Sequence, residues 1–284
     1  MKNILLLTDF SKPSINAMVY AAQLFQGEHC TFYVLNTFVP VALYNAVTLD
    51  NNTGQNADVG ELFEQHAKNK VQELIDTKAL EFPDPKHHFV AISSFNTLIA
   101  GMHMLVDAHA IECIIMGTNG ATGLKELFIG SQTMHVIKEA NIPVIGVPAG
   151  YRFIKPVALL FVTDYRTGTK QTGLSLLNQI CTKNHAGLIF LNAYRGDVLD
   201  KNQLQNKDAL DHYFKNHALL TQTPTGTEVL DAIEQFHSRH RIDLLVLVHN
   251  KRNFFENLLF TPVVQKVVHH AHVPFLILPP TQTD

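Results

Sequence analysis

The chain has no tryptophan, three cysteines, and charged residues at only 17% of its 284 positions. Each shortage excludes something. A chain with so little charge and 46% hydrophobic residues is not a solvated, disordered polymer; its apolar content sustains packed cores in roughly two domains. Cys30, Cys113 and Cys181 lie far apart, within or at the edges of apolar runs, and read as buried thiols of a reducing compartment rather than a disulfide scaffold. No run approaches the roughly 20 apolar residues of a membrane span. The N-terminus offers one lysine and a short apolar run before Asp9, not a signal-peptide core. The expectation is a soluble, cytoplasmic protein without a membrane partner. A net charge of -3 lacks the basic excess of a nucleic-acid surface. Three motifs are missing as well. There is no GxxxxGK[ST] phosphate loop, and no glycine between Thr8 and Ser14 for a dinucleotide fingerprint. There is no GxSxG elbow either.

What the chain does have is a repeat. Lys2–Phe10 is a short apolar run ending in Thr8-Asp9-Phe10, and Lys155–Tyr165 ends in Thr163-Asp164-Tyr165. The segment VIKEANIPVIGVP at 136–148 matches VVHHAHVPFLILP at 267–279, and Ile111–Met116 matches Ile242–Leu247. The first anchors are 155 residues apart and the later ones 131, so the second copy is 24 residues shorter, a loss assigned to the 38–60 loop and its flanks. Domains at 1–150 and 151–284 follow. The first carries 8 basic and 14 acidic residues, the second 14 and 11.

In the first copy, strands are expected at 3–8, 30–36, 87–92, 112–116 and 143–147. Helices are expected at about 14–25, 59–77, 95–107 and 131–140. Ser11 or Ser14 caps the first helix, and Ser93-Ser94 the third. Runs such as 3–7 and 113–116 do not alternate, which suits strands covered on both faces. The fold class is α/β, an open and mostly parallel sheet repeated once.

The strongest chemical signal is Gly117-Thr118-Asn119-Gly120, then nine residues, then Gly130-Ser131. It starts at the end of the fourth strand, where parallel sheets bind ligands. Glycines let backbone N–H groups approach phosphate, and a helix opening at Gly130-Ser131 favours an anion. Asp9 ends the first strand on the same edge. It either contacts a nucleotide's base or ribose, holds a metal, or caps the Ser11–Ser14 turn.

Asp9, Gly117-xx-Gly120, the nine-residue spacing to Gly130-Ser131 and the trailing Asn141-Ile142-Pro143-Val144 resemble the ATP-binding pattern of the universal stress protein (UspA-like) family, here in tandem. The resemblance implies two doubly wound parallel-sheet domains of the adenine-nucleotide alpha-hydrolase-like type, with strand order 3-2-1-4-5. It implies ATP, with or without Mg²⁺, beyond the carboxyl edge. Asp9 and the backbone near Thr37 would face adenine, Gly117 would lie near ribose, and Gly120, Gly130 and Ser131 would cradle phosphates. It further implies pairing of 143–147 with 274–278, making an intramolecular pseudo-dimer. Association of two tandem chains, and an unidentified protein partner, stay open.

The second copy departs from that pattern. Val248-His249-Asn250-Lys251 replaces the glycine turn, and Thr261-Pro262 replaces Gly-Ser. A nucleotide in the first domain only, with an architectural second domain, is the expectation. Sixteen histidines, including His269-His270-Ala271-His272 and the pair His237 and His240, complete no standard metal-ligand spacing and read as structural or solvated. No catalytic residue stands out. The functional expectation is an ATP-binding stress-response regulator or sensor. A nucleotide-free scaffold, with the polar segment around Asn51, Asn52 and Gly54 as its partner surface, is the alternative, and a slow ATPase is a third.

Overall fold

A computed structural model describes residues 1–38, 56–81, 83–118, 130–192, 198–222, 229–249 and 273–281. Asn51, Asn52, Gly54, Asn119, Gly120, Asn250, Lys251, Thr261, Pro262, His269, His270 and His272 lie outside the described residues.

The first half runs β1 (Lys2–Leu7), α1 (Lys12–Leu24), β2 (Cys30–Thr37), α2 (Asn56–Glu81), β3 (His87–Ser94), α3 (Leu98–His109), β4 (Cys113–Gly117), α4 (Ser131–Glu139) and β5 (Val144–Val147). The second half runs β6 (Ala158–Thr163), α5 (Leu174–Asn184), β7 (Gly187–Asn192), α6 (Lys201–Tyr213), β8 (Leu219–Gln222), α7 (Val229–Arg239), β9 (Leu244–Val248) and β10 (Phe275–Leu278). The central strands are continuous apolar runs because helices cover both faces. Ile4 to Leu7, Cys113 to Met116 and all of β9 and β10 are buried.

Alternation along the strands sorts the helices. Thr8 meets Ser14 of α1 through their hydroxyls at 3.0 Å, whereas the face bearing Leu35 and Thr37 meets Gly101 of α3. α1 and α3 therefore sit on opposite faces of the sheet. α1 starts where Ser11 accepts the Ser14 N–H, with Pro13 in the first turn where its missing donor costs nothing. Ser93 and Ser94 do not cap α3. They end β3, paired with Asn36 and Thr37, and Thr97 is the cap. β3 thus runs two residues past its expected end, because β2 offers it partners that far.

All ten strands form one sheet in the order β3-β2-β1-β4-β5-β10-β9-β6-β7-β8. Each half is parallel and doubly wound in the order 3-2-1-4-5. The halves meet through antiparallel β5 and β10, with Val144 opposite Ile277 and Gly146 opposite Phe275. A Cβ on Gly146 would overlap the Phe275 ring, so glycine there is a packing requirement. The pairing removes the two edges that a lone half would expose. More contacts cross the seam. Gly173, at the start of α5, packs on Pro143, and Lys183 donates to the Leu24 carbonyl at 2.6 Å while facing Glu28 at 3.1 Å.

The missing length of the second copy lies between its second and third strands. There a 13-residue α6 stands where the first half has the 26-residue α2. The deletion therefore takes helix as well as loop. No helix among the described residues is long and apolar enough to cross a membrane.

Candidate nucleotide-binding edge

The chain winds outward from β1 in one direction through β2 and β3, and in the other through β4 and β5. The carboxyl ends of β1 and β4 are thus the switch point of the first half, the place at which open α/β sheets bind ligands. Leu6 pairs with Ile115, so Thr8-Asp9 and Gly117-Thr118 leave the sheet side by side. Asp9 and Gly117 are brought together, and Thr37 ends the adjacent β2.

The turn after β1 is held by its own side chains. The Thr8 hydroxyl accepts the Phe10 N–H at 3.1 Å, and Asp9 Oδ1 accepts the Ser11 N–H at 3.0 Å. Phe10 takes a left-handed φ of 62°, uncommon for a residue with a side chain. The second half repeats this turn in detail. Thr163 accepts the Tyr165 N–H at 3.0 Å, Asp164 accepts the Arg166 N–H at 3.1 Å, and Tyr165 has φ 60°. Capping by Asp9 is thus part of the architecture of both halves; the carboxylate is also exposed on the edge.

At the end of β4, Gly117 is explained by close approach. A Cβ there would lie 2.6 Å from the Pro13 carbonyl, so α1 sits on this strand end only because the side chain is absent. Thr118 is buried and donates its N–H to Val147 at 3.1 Å, and Thr133 of α4 shares its hydroxyl between the Gly117 and Thr118 carbonyls at 3.3 Å each. The Gly130 N–H donates back to the Thr118 carbonyl, bringing the opening of α4 to the strand end. Gly130 is the N-cap with φ −58°, and no side chain among the described residues caps the helix. Ser131 is its exposed first residue. Among the described residues, the first-turn N–H groups of α4 therefore have no side-chain cap at the switch point.

The second-half edge has the same register but a different chemistry. His249 donates its N–H to Leu278 at 2.7 Å, as Thr118 does to Val147, so Val248 occupies the place of Gly117. α5 begins eleven residues after its strand, whereas α1 begins five after its own, and a 3-10 turn at Gly168–Lys170 intervenes. Side chains of α6 reach over the turn. Gln203 donates to the Asp164 carbonyl at 2.8 Å, and Asn206 to those of Tyr165 and Arg166 at 2.8 and 3.0 Å. Among the described residues, α6 thus occupies the carbonyls of this turn.

One polar pair was not singled out from the sequence. Buried Asn36 donates to the Thr8 carbonyl at 2.8 Å, and buried Asn192 stands at the corresponding end of β7. The shared Leu-Asn at 35–36 and 191–192 is the signal that points to it. Among the described histidines, His87 meets the Phe25 carbonyl at 3.1 Å, and the His240 ring stacks on Phe236 at 4.4 Å. No group of three or more metal-ligating side chains occurs among the described residues.

Comparison with known proteins agrees with the architecture. The universal stress protein family matches residues 1–148 and 185–279, and the chain belongs to that family. Residues 149–184, which hold β6 and α5, fall outside the match although β6 pairs with β7 and β9 as β1 does with β2 and β4. The universal stress protein MJ0577 of Methanocaldococcus jannaschii is 33% identical over 97 residues, which is 32% of this chain and 59% of that relative. Less than two thirds of that protein is therefore spanned. Among solved structures, a universal stress protein from Archaeoglobus fulgidus superposes with a TM-score of 0.62 at 13% identity, covering 99% of this chain and 97% of that one. The functionally unknown protein PA1789 of Pseudomonas aeruginosa gives 0.57 at 12% identity over 99% and 93%. The cytoplasmic domain of a prokaryotic cation chloride cotransporter gives 0.58 at 9% identity over 100% and 97%. The tandem fold is thus shared by proteins of very different sequence.

Proposed function

We propose that this protein is an ATP-binding stress-response regulator or sensor, holding nucleotide at the carboxyl edge of a first domain, residues 1–150. A second domain, residues 151–284, is architectural. The observation that carries this reading is the uncapped start of α4, joined to the end of β4 through Gly130 and Thr118 at the switch point beside Asp9. Uncapped N–H groups and the helix dipole attract phosphate oxygens, each such charge interaction contributing about 1 kcal/mol. Gly130 and Ser131 receive the phosphates, with Gly120 joining them from the glycine turn. Gly117 borders ribose, and Asp9 with the Thr37 backbone borders adenine, as in the adenine-nucleotide alpha-hydrolase-like class. Mg²⁺ would neutralise the phosphates, with Asp9 a carboxylate on the same edge.

Regulation requires that ATP bind one conformation or partner complex better than another, by the free energy it is to transmit. The protein partner is unassigned, and hydrolysis has no general base among the residues named.

Gly130→Val is the informative test. The φ of Gly130 is one that any residue adopts, so valine there costs little backbone strain, apart from about 1 kcal/mol as a poor N-cap. Mass spectrometry of nucleotide released from gently purified protein, with calorimetric titration of ATP and Mg²⁺, should show micromolar or tighter binding that Gly130→Val removes. Failure of ATP, ADP and AMP to bind the wild-type chain would overturn the reading and leave the nucleotide-free scaffold. Phosphate release that Gly130→Val also removes would make the protein a slow ATPase.

A further inference from the structure

Phe38 and Phe95 leave the carboxyl ends of adjacent strands, one residue beyond the paired Thr37 and Ser94. The Phe38 N–H donates to the Ser94 carbonyl at 3.1 Å, and the two rings lie 5.9 Å apart at 51°. Phe95 is 57% exposed. Its turn is nevertheless well anchored. Asn96 donates to the Ser94 hydroxyl at 2.8 Å, Thr97 accepts the Ala100 N–H at 3.3 Å, and Gly101 lets α3 close onto Thr37, whose methyl lies 2.9 Å from where a Cβ would stand. A large apolar side chain held in water on an anchored turn adds little to the core.

The two segments that carry this pair are uncharged. No Asp, Glu, Lys, Arg or His occurs from Phe89 to Met102 or from Thr31 to Phe38. Such a surface suits a neutral planar ring and offers nothing to phosphate. The anion-attracting end of α4 lies at β4, two strands from β2, or about 10 Å at ordinary strand spacing. A nucleotide laid along the edge with its phosphates at α4 and its ribose by Gly117 passes Asp9 after β1 and brings its base to the end of β2, beside Phe38 and, one strand further, Phe95.

Building on the nucleotide site above, we propose that Phe38 and Phe95 form the wall on which the adenine ring stacks. The wall makes affinity depend on the base as well as on the phosphates. Stacking of a base on an aromatic side chain is lost on truncation to alanine, and its usual size corresponds to about five- to 150-fold in affinity.

The absence of tryptophan from the chain makes a direct test available. Phe95→Trp installs a single indole whose emission should be quenched by ATP and not by inorganic tripolyphosphate. Calorimetry should show Phe95→Ala weakening ATP by at least about fivefold while Phe95→Tyr retains wild-type affinity. Because Phe95 is exposed, the thermal midpoint of each variant should match the wild type. Unchanged ATP affinity in Phe95→Ala, or ATP binding to Phe95→Trp without a change in emission, overturns the stacking wall and leaves the nucleotide site standing. Failure of the wild type to bind ATP, ADP or AMP overturns both.

Discussion

The two halves share a strand order, a strand-end turn and a register, and differ at one edge. β4 ends in Gly117, and α1 rests on the strand end with Pro13 against the vacant Cβ position. β9 ends in Val248, and the helix that follows β6 starts six residues later relative to its strand. In the first half the turn carrying Asp9 lies beside an uncapped helix start. In the second, Gln203 and Asn206 occupy the carbonyls of the matching turn. The lesson is that the Thr-Asp-aromatic turn belongs to the scaffold. Whether it serves a ligand depends on what the following helices leave uncovered.

Exchanging the strand-end residues tests that contrast with the largest effect. Gly117→Val drives a branched side chain into the Pro13 backbone and should lower stability by about 3 kcal/mol in urea denaturation. Val248→Gly relieves no overlap, removes a buried side chain, and should cost about 2 kcal/mol without creating a nucleotide site. Equal tolerance of both substitutions would show that Pro13 does not distinguish the halves.

A smaller effect is expected at the second-half edge. Asn206→Ala removes both donors to the Tyr165 and Arg166 carbonyls and should cost about 1–2 kcal/mol, read from the same denaturation midpoint. Calorimetry should still detect no ATP at the second half. A second binding event in this variant would mean that α6 alone keeps nucleotide out.

The smallest effect lies at the junction. Burial acts to raise the Glu28 pKa, but hydrogen bonds and charge from Lys2 and Lys183 outweigh it and hold the carboxyl below its ordinary 4.5. At Lys183, burial outweighs Glu28 and lowers the ammonium pKa, so the favourable balance rests with a carboxylate shared by two lysines. A depressed carboxyl pKa gives stability that is complete above the unfolded value and lost as pH falls through the folded one. Wild-type stability should therefore drop below pH 4.5 by up to about 1 kcal/mol through this group, and Glu28→Gln should flatten that part of the profile. An unchanged acid limb would remove Glu28 from the junction's contribution.

Much of this was legible in the sequence for a physical reason. Strands buried on both faces write themselves as unbroken apolar runs, and β1, β4, β6 and β9 stood out that way. The repeated Thr-Asp-aromatic marked both switch-point turns, even where β6 and α5 escape the family match. What was not legible depends on contacts between distant segments. Gly117 signalled phosphate approach, yet its visible requirement is Pro13, about a hundred positions earlier in the chain. The Gln203 and Asn206 contacts come from a polar helix with no motif to announce them. Ser93 and Ser94 resembled a helix cap because a serine pair before a helix usually is one; pairing with Asn36 and Thr37 overrides that local preference.

The antiparallel seam between β5 and β10 has a consequence for solution behaviour. Two separate copies joined along this edge would part on dilution, and their pairing would follow mass action. Joined by one peptide, the partners meet at an effective concentration fixed by the connecting chain, so the ten-stranded sheet persists however little protein is present. The antiparallel joint also directs the carboxyl ends of β1 and β4 to one rim of the sheet and those of β6 and β9 to the opposite rim. A bound molecule on one rim can influence a partner on the other through the shared strands and through the contacts of Gly173 and Lys183 that cross the seam.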